Sequence, residues 1–245
     1  MGAYVAVNHR AYLAHLDATD AEQIVFGPLN VAAVPFPSMA DGGYLSNRPG
    51  LRSGEFMIDK WQDFGAGVWD DQLGLAAVGS QYAFSVTPNT SGTETAGDPA
   101  WFSRGIATNY APMSASIGDP VKGPISGVFD TVFVRGQVAH PKAARTATGT
   151  GTALTLTGPT ATQSLYAALH VTAYSGITNV VFKIQSDDNS GFTSATDRIT
   201  FSTVTGVTSQ FTSVAGNFST ETHHRITWTV TGSGSVTFVA FVGVL

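Results

Sequence analysis

"GEFMIDKWQDF", residues 54–64, alternates as a β-strand does. Strand side chains point to opposite faces with period two. Glu55, Met57, Asp59, Trp61 and Asp63 therefore share one face, and Phe56, Ile58, Lys60, Gln62 and Phe64 share the other. Three carboxylates on one face admit three readings: a catalytic set, a metal site or a charged wall. At a rise of roughly 3.3 Å per residue, Glu55 and Asp59 stand about 13 Å apart. Glycosidase pairs need roughly 5–9.5 Å. Calcium needs several oxygens around one point, whereas a strand spreads them along a line. Acids on this strand make neither site by themselves, though partners from elsewhere in the chain could complete either. Otherwise the face is solvated or a charged wall, and Met57 and Trp61 on it call for burial.

Composition points the same way. The 245 residues are 43% hydrophobic and only 12% charged, about half the usual charged share. Abundant Gly, Thr, Ser and Val with little Lys and Glu favours strands and turns. A net charge of −5 argues against a general grip on nucleic acid, which needs a basic face. With no cysteine, disulfides, thiolate nucleophiles and cysteine-ligated zinc are excluded. "MGAYVAVNHRAYL" shows no signal-peptide pattern, and the closing "VTFVAFVGVL" is too short to span a bilayer as a helix. The expectation is a soluble protein made in a cytoplasm.

Charge divides the chain. Residues 151–245 carry only Lys183, Arg198 and Arg225 against Asp187, Asp188, Asp197 and Glu221. "HPKAARTATGTG" (140–151) has no apolar period, which places a boundary near residue 145. The expected organisation is a domain over 1–142, a linker over 143–150 and a second domain over 151–245. In the first part, "RAYLAHLD" and "EQIVFG" read as strands around a "DATD" turn. "VPFPSMADGGYLSNRPG" (34–50) reads as a long functional loop, and "VWDDQLGLAAVG" (68–79) as the one helix, with acids at its start and Gly79 at its end. Further strands follow over 81–87, 100–113, 121–129 and 131–140. In the second part, seven short segments from "TALTLT" to "VTFVAFVGV" alternate with Gly, Asn, Asp and Ser turns, the spacing of a β-sandwich. The fold class expected is mainly β: a barrel or sandwich with one helix, then an all-β sandwich of immunoglobulin-like or jelly-roll-like type.

No motif carries catalysis. His223 and His224 are adjacent, so on a strand they face opposite sides. His9, His15, His140 and His170 have no helical partner spacing and no HExxH setting. "QSDDNSGF" (185–192) lacks the order of a calcium loop and its distal glutamate, and reads as a hairpin turn. "SGTETAGDP" fits no phosphate loop, and no serine sits in a GxSxG elbow. No enzyme, cofactor or metal is expected.

"NRPGLRSGEFMIDKWQDF", the helix after it, "GDPAWFSRGIATNYAPMSASIGDPVKGPISGVF" and "VFVRGQVAH" together resemble the major tail tube proteins of long-tailed, siphovirus-type bacteriophages, over roughly residues 8–142. The stretch "SLYAALHVTAYSG…VVFKIQSDDNSGFTSATDRITF" resembles β-sandwich modules appended to phage structural proteins. The resemblance implies a virion structural protein that self-assembles. Its subunits would form hexameric rings, stacked into the tail tube that carries genomic DNA to the host at genome ejection. Partners would be other copies of the chain and the tape measure, tail terminator and distal tail proteins, with DNA passing through and no membrane insertion. Assembly would occur in the host cytoplasm, ending in the virion tail. It makes Glu55, Asp59 and Asp63 candidates for the lumen, where a repelling wall lets DNA slide. Pro35, Pro37, Tyr44 and Arg48 become candidates for an inter-ring loop. The alternative is a host-surface or carbohydrate-binding module, or a capsid decoration protein built on the sandwich. Tyr166, Tyr174, Phe192 and Trp228 would then be glycan platforms unless they fill the sandwich core.

Overall fold

The computed structural model describes residues 8–36, 46–65, 69–72, 78–89 and 92–245. The chain is mainly β. Among the described residues fourteen strands join one antiparallel sheet, and the helical part is a turn at 69–72. No helix among these residues is long and apolar enough to cross a membrane.

The decisive strand is there, but shifted. β4 (Ser46–Asp59) starts upstream of the expected segment and stops at Asp59, before Trp61 and Asp63. Phe56 and Ile58 are buried in the first core, as the alternation requires. Of the expected loop over 34–50, the described residues, 34–36 and 46–50, are strand: β3 (Gln23–Phe36) pairs with β4 through Val34↔Arg48, Pro35↔Asn47 and Phe36↔Ser46, and 37–45 lie outside the described residues. Prolines are tolerated on edge strands and at bulges, where no ladder hydrogen bond is lost. Pro28 falls within the β3 bulge between Phe26 and Leu29, and Gly27 beside it has φ +122°.

β1 (Asn8–Leu13) turns through Ala14 into β2 (Leu16–Asp17). β5 (Gln81–Asn89), β6 (Pro99–Tyr110) and β7 (Ile125–Phe129) continue the sheet, with β1 pairing β5, β5 pairing β6, β6 pairing β7 and β7 pairing β4. Trp69, on the helical turn, is buried in this first core, and its indole N–H donates to the Gly123 carbonyl at 2.9 Å. Of the rest of the helix expected over 68–79, residues 68 and 73–77 lie outside the described residues, and Val78 and Gly79 are not helical, Val78 forming a β-bridge with Ala107.

Of the linker expected over 143–150, residues 143–145 and 149–150 are strand. β8 (Val134–Arg145) runs through residue 142 and pairs with β6 on one side and β14 (His223–Val244) on the other. β9 (Gly149–Thr150) also pairs with β14, as does β10 (Leu154–Thr155). Four of the seven C-terminal segments merge into two long strands, β11 (Ser164–Asp187) and β14, paired from Leu165↔Val244 to Asp187↔His223. This ribbon folds over on itself where its register slips, near Gly176, Gly232 and Gly234. All three have positive φ, a conformation that costs a side-chain-bearing residue energy. The fold brings the Phe182 ring within 4.7 Å of Phe238, which belongs to the other half of the ribbon. β12 (Thr196–Thr200) and β13 (Thr208–Ala215) flank β11.

Between the two cores lies a third, in which Tyr12, Phe102 and Val134 of the first half meet Ala168, Val239 and Phe241 of the second. Polar groups pin the same joint. His170 Nδ1 lies 2.6 Å from the Ala14 carbonyl, and its Nε2 lies 2.7 Å from Ser85 Oγ. A carbonyl only accepts, so Nδ1 carries the proton and the serine donates to Nε2.

Candidate assembly surface

The most exposed apolar structure near the decisive strand is the hairpin it belongs to. β3 pairs with β4 alone, and β7 reaches only Glu55–Ile58 of β4. Residues 46–54 and their β3 partners therefore project beyond the sheet as a two-stranded arm. A 14-residue strand with one edge unpaired among the described residues offers a row of free N–H and C=O groups, a template for another chain. Leu29 and Val31 are 53% and 49% exposed and Leu51 is 87% exposed. Natural proteins blunt such edges with charge or covering segments; here the β3 segment "LNVAAV" carries none.

The arm has a rigid root. Phe26 sits 4.9 Å from Phe84, 4.9 Å from Phe129 and 4.6 Å from Phe133, between ring centroids. Gly54 lets Leu29 and Phe129 close over it: a Cβ there would stand 2.8 Å from atoms of both side chains. Beside this root a groove of about 510 Å³ opens, walled by Leu29, Val31, Phe129, Val132, Phe133 and the terminal Leu245.

The three acids do not form the even row expected. Glu55 is exposed and has no ion-pair partner among the described residues. Asp59 lies 3.2 Å from the Lys122 ammonium, which also pairs with Glu22. Hydrogen bonds from that ammonium to Glu22, then Asp59, raise the lysine's pKa. Asp63 lies past the strand end and accepts from the Gly65 N–H at 3.0 Å. The wall is thus interrupted by a cation at its middle position. Trp61, expected to seek burial, is 41% exposed with Lys122 over its ring at 5.2 Å.

Of the inter-ring candidates, Pro35 and Arg48 lie in β3 and β4, while Pro37 and Tyr44 lie outside the described residues. The glycan candidates are poor platforms. Trp228 is buried, donates to the Ala147 carbonyl at 2.8 Å and has the Arg145 guanidinium over its ring. Phe192 is buried beneath Arg225. Tyr166 packs near Phe211 in the joint, and the Tyr174 hydroxyl donates to the Val204 carbonyl. The Trp228 and Phe192 rings are thus covered by the protein itself, and Tyr166 and Tyr174 are half-buried.

The 185–192 turn closes on its own groups. Asp187 accepts from the Ser194 N–H at 2.9 Å and the Asn189 N–H at 3.2 Å. No group of three metal-ligating side chains is assembled among the described residues. A residue the sequence hid is Glu94, in the polar loop. Buried, it takes the Tyr12 hydroxyl and the Lys142 N–H on one oxygen, both at 2.7 Å. It fastens β1 to β8, and burial with the Glu94 charge holds the Tyr12 phenol well above its usual pKa.

No family model matches the chain, and a search of curated proteins returned no match. Solved structures do resemble it. The sheath/tube terminator of an extracellular contractile injection system, PVC, in its extended state aligns at 11% identity and a TM-score of 0.45, over 55% of this chain and 97% of that one. The sheath–tube complex of the same system gives 15% and 0.41, over 54% and 89%. The Dit protein of SPP1, described as a hub of the adsorption apparatus in phages infecting Gram-positive hosts, gives 10% and 0.37, over 97% and 99%. Likenesses at this level establish no family.

Proposed function

We propose that this chain is a structural subunit of a bacteriophage tail, forming six-membered rings that stack into the tube through which genomic DNA passes. The observation that carries this reading is the unpaired edge of β3 with its exposed apolar arm. A sheet left open at a long apolar edge is completed by another chain, and a head-to-tail contact that closes gives a ring. The sequence resemblance over residues 8–142 supplies the tube as the form that ring takes. In this reading residues 151–245 stand on the outside, and the β4 face with Glu55 and Asp59 looks onto the passage. Lys122 offsets part of that face by pairing with Asp59, so the phosphates meet the carboxylate of Glu55, which repels them and gives DNA nothing to hold. The tape measure, tail terminator and distal tail proteins would meet the tube inside and at its ends.

At high concentration the wild type is expected to give six-fold rings or hollow tubes in negative-stain micrographs. The Leu29→Lys/Val31→Lys variant is expected to keep its fold, since both positions are exposed and such surface changes usually cost within about 0.5 kcal/mol. It is expected to remain monomeric in sedimentation velocity where the wild type assembles. A lysine variant that assembles like the wild type would overturn the reading.

A further inference from the structure

A second exposed apolar feature lies at the other end of β7. The loop leaving β6 at Tyr110 returns to β7 at Ile125, closed by Ala111 N–H to the Pro124 carbonyl at 3.1 Å. Ser114 and Lys122 exchange backbone hydrogen bonds at 3.1 and 3.3 Å, and Asp119 N–H donates to the Ser116 carbonyl at 3.0 Å. The tip is therefore a braced knob. It carries Ile117, fully exposed, and Met113, 73% exposed. Turn tips ordinarily hold Gly, Pro, Asn, Asp or Ser. An isoleucine there adds nothing to this fold and presents apolar surface to water.

The knob precedes Ile125, whereas the groove beside the arm is built partly from Phe129 to Phe133, which follow the other end of β7. Four residue steps, roughly 13 Å of strand, separate the two. They therefore cannot meet within one chain, but they can meet between chains related by a step along the strand. Charge agrees. Asp119, on the knob, has no ion-pair partner among the described residues. Nor does Arg52, exposed on the groove wall. Asp130, the acid in that wall, is already taken by Arg104 at 3.0 Å and Gln81 at 2.6 Å.

We infer that the Met113–Ile117 knob of one copy seats in the groove at the root of the β3–β4 arm of another, with Asp119 meeting Arg52. This rests on the ring-forming reading above and adds the contact by which one ring binds the next. The contact is heterologous: each copy gives its knob and offers its groove, so it propagates instead of closing on a pair. Because the knob is braced, little ordering is lost on docking.

The chain contains no cysteine, so single introduced thiols report cleanly. An equimolar mixture of Ile117→Cys and Leu29→Cys, mildly oxidised, is expected to give the mixed disulfide dimer. It should exceed twice either homodimer, the ratio that random pairing gives, and exceed the product of Ile117→Cys with the off-groove control Ser190→Cys. No excess of the mixed product, or a dominant Ile117→Cys homodimer, would overturn the inference. Asp119→Arg and Arg52→Asp should each raise the concentration needed for stacking at least about tenfold, because like charges then face each other. The double variant should recover it, and a double variant as weak as the singles would overturn the inference. Rings of normal mass without the mixed disulfide would sink this contact and leave the sheet-edge reading standing, whereas assembly unaffected by the β3 lysines would sink both, because Leu29 and Val31 also wall the groove.

Discussion

Phe241→Ala is expected to cost about 3–5 kcal/mol of stability, the range for emptying a buried phenylalanine site, and to lower the melting temperature by about 10 °C. Phe241 is fully buried on β14 and stands 6.0 Å from Tyr12, 6.2 Å from Phe102 and 5.9 Å from His170, between ring centroids. Two of those partners belong to the first half of the chain. Two of the three cannot swing into the void freely: Tyr12 is tied to Glu94 and His170 to Ala14 and Ser85. A site that cannot collapse keeps its cavity, which puts the cost at the upper end of the range. Urea unfolding followed by intrinsic fluorescence measures it. A loss below about 1 kcal/mol would mean that the joint repacks and that the two halves fold independently.

That joint marks what the sequence does and does not disclose. Alternation around Phe56 and Ile58 was readable because a half-buried strand repeats every two residues within a short window. The proline-rich 34–50 stretch was not, since proline and glycine mark loops and edge strands alike, and only pairing distinguishes them. "SGIT" and "GSGS" look like hairpin turns, yet they are the bends where a continuous ribbon folds over, and composition does not separate a bend from a reversal. The supposed linker lacked an apolar period because its strand is covered by other means: Arg145 lies over Trp228, and Lys142 pairs with Asp17. The open edge of β3 depends on which strand lies beside it, a non-local fact. Its one local signal was "LNVAAV", uncharged on both faces and with Asn30 its one polar residue, unlike a strand that faces water on one side. Ile117 at a turn tip was equally visible, but it gains meaning only once a groove of suitable size appears elsewhere.

Acidification from pH 7 to about 4.5 is expected to remove several kcal/mol of stability, enough to unfold a protein of ordinary stability. His140, His170 and His224 are all buried, and burial is the first cause that lowers each of them from 6.5 to about 4. The Arg145 guanidinium, donating to His140 Nε2 at 3.0 Å, adds to the effect there. At His170 the further lowering comes from His15. Around His224, Glu221 pulls upward while His223 and Arg198 push down. A base whose folded pKa is depressed binds its proton more readily when unfolded. Its stabilising neutrality is complete above about pH 6.5 and lost as pH falls toward 4. Each histidine then contributes about 2–3 kcal/mol at pH 4.5, because every tenfold gap in proton affinity between the folded and unfolded chain is worth about 1.4 kcal/mol. Asp17, Asp197 and Glu221 are shifted downward too, by hydrogen bonds from Lys142, Lys183 and Arg198. Urea midpoints at pH 7.5, 6, 5 and 4.5 should therefore fall steeply at constant slope in denaturant. His224→Leu provides the internal check, because neither ring nitrogen of His224 has a hydrogen-bond partner. Removing an unsatisfied buried polar group should cost little at neutral pH and should flatten the pH dependence by one histidine's share. A midpoint unchanged between pH 7 and 5 would show that water or charge reaches these rings, and that the joint around His170 is not closed.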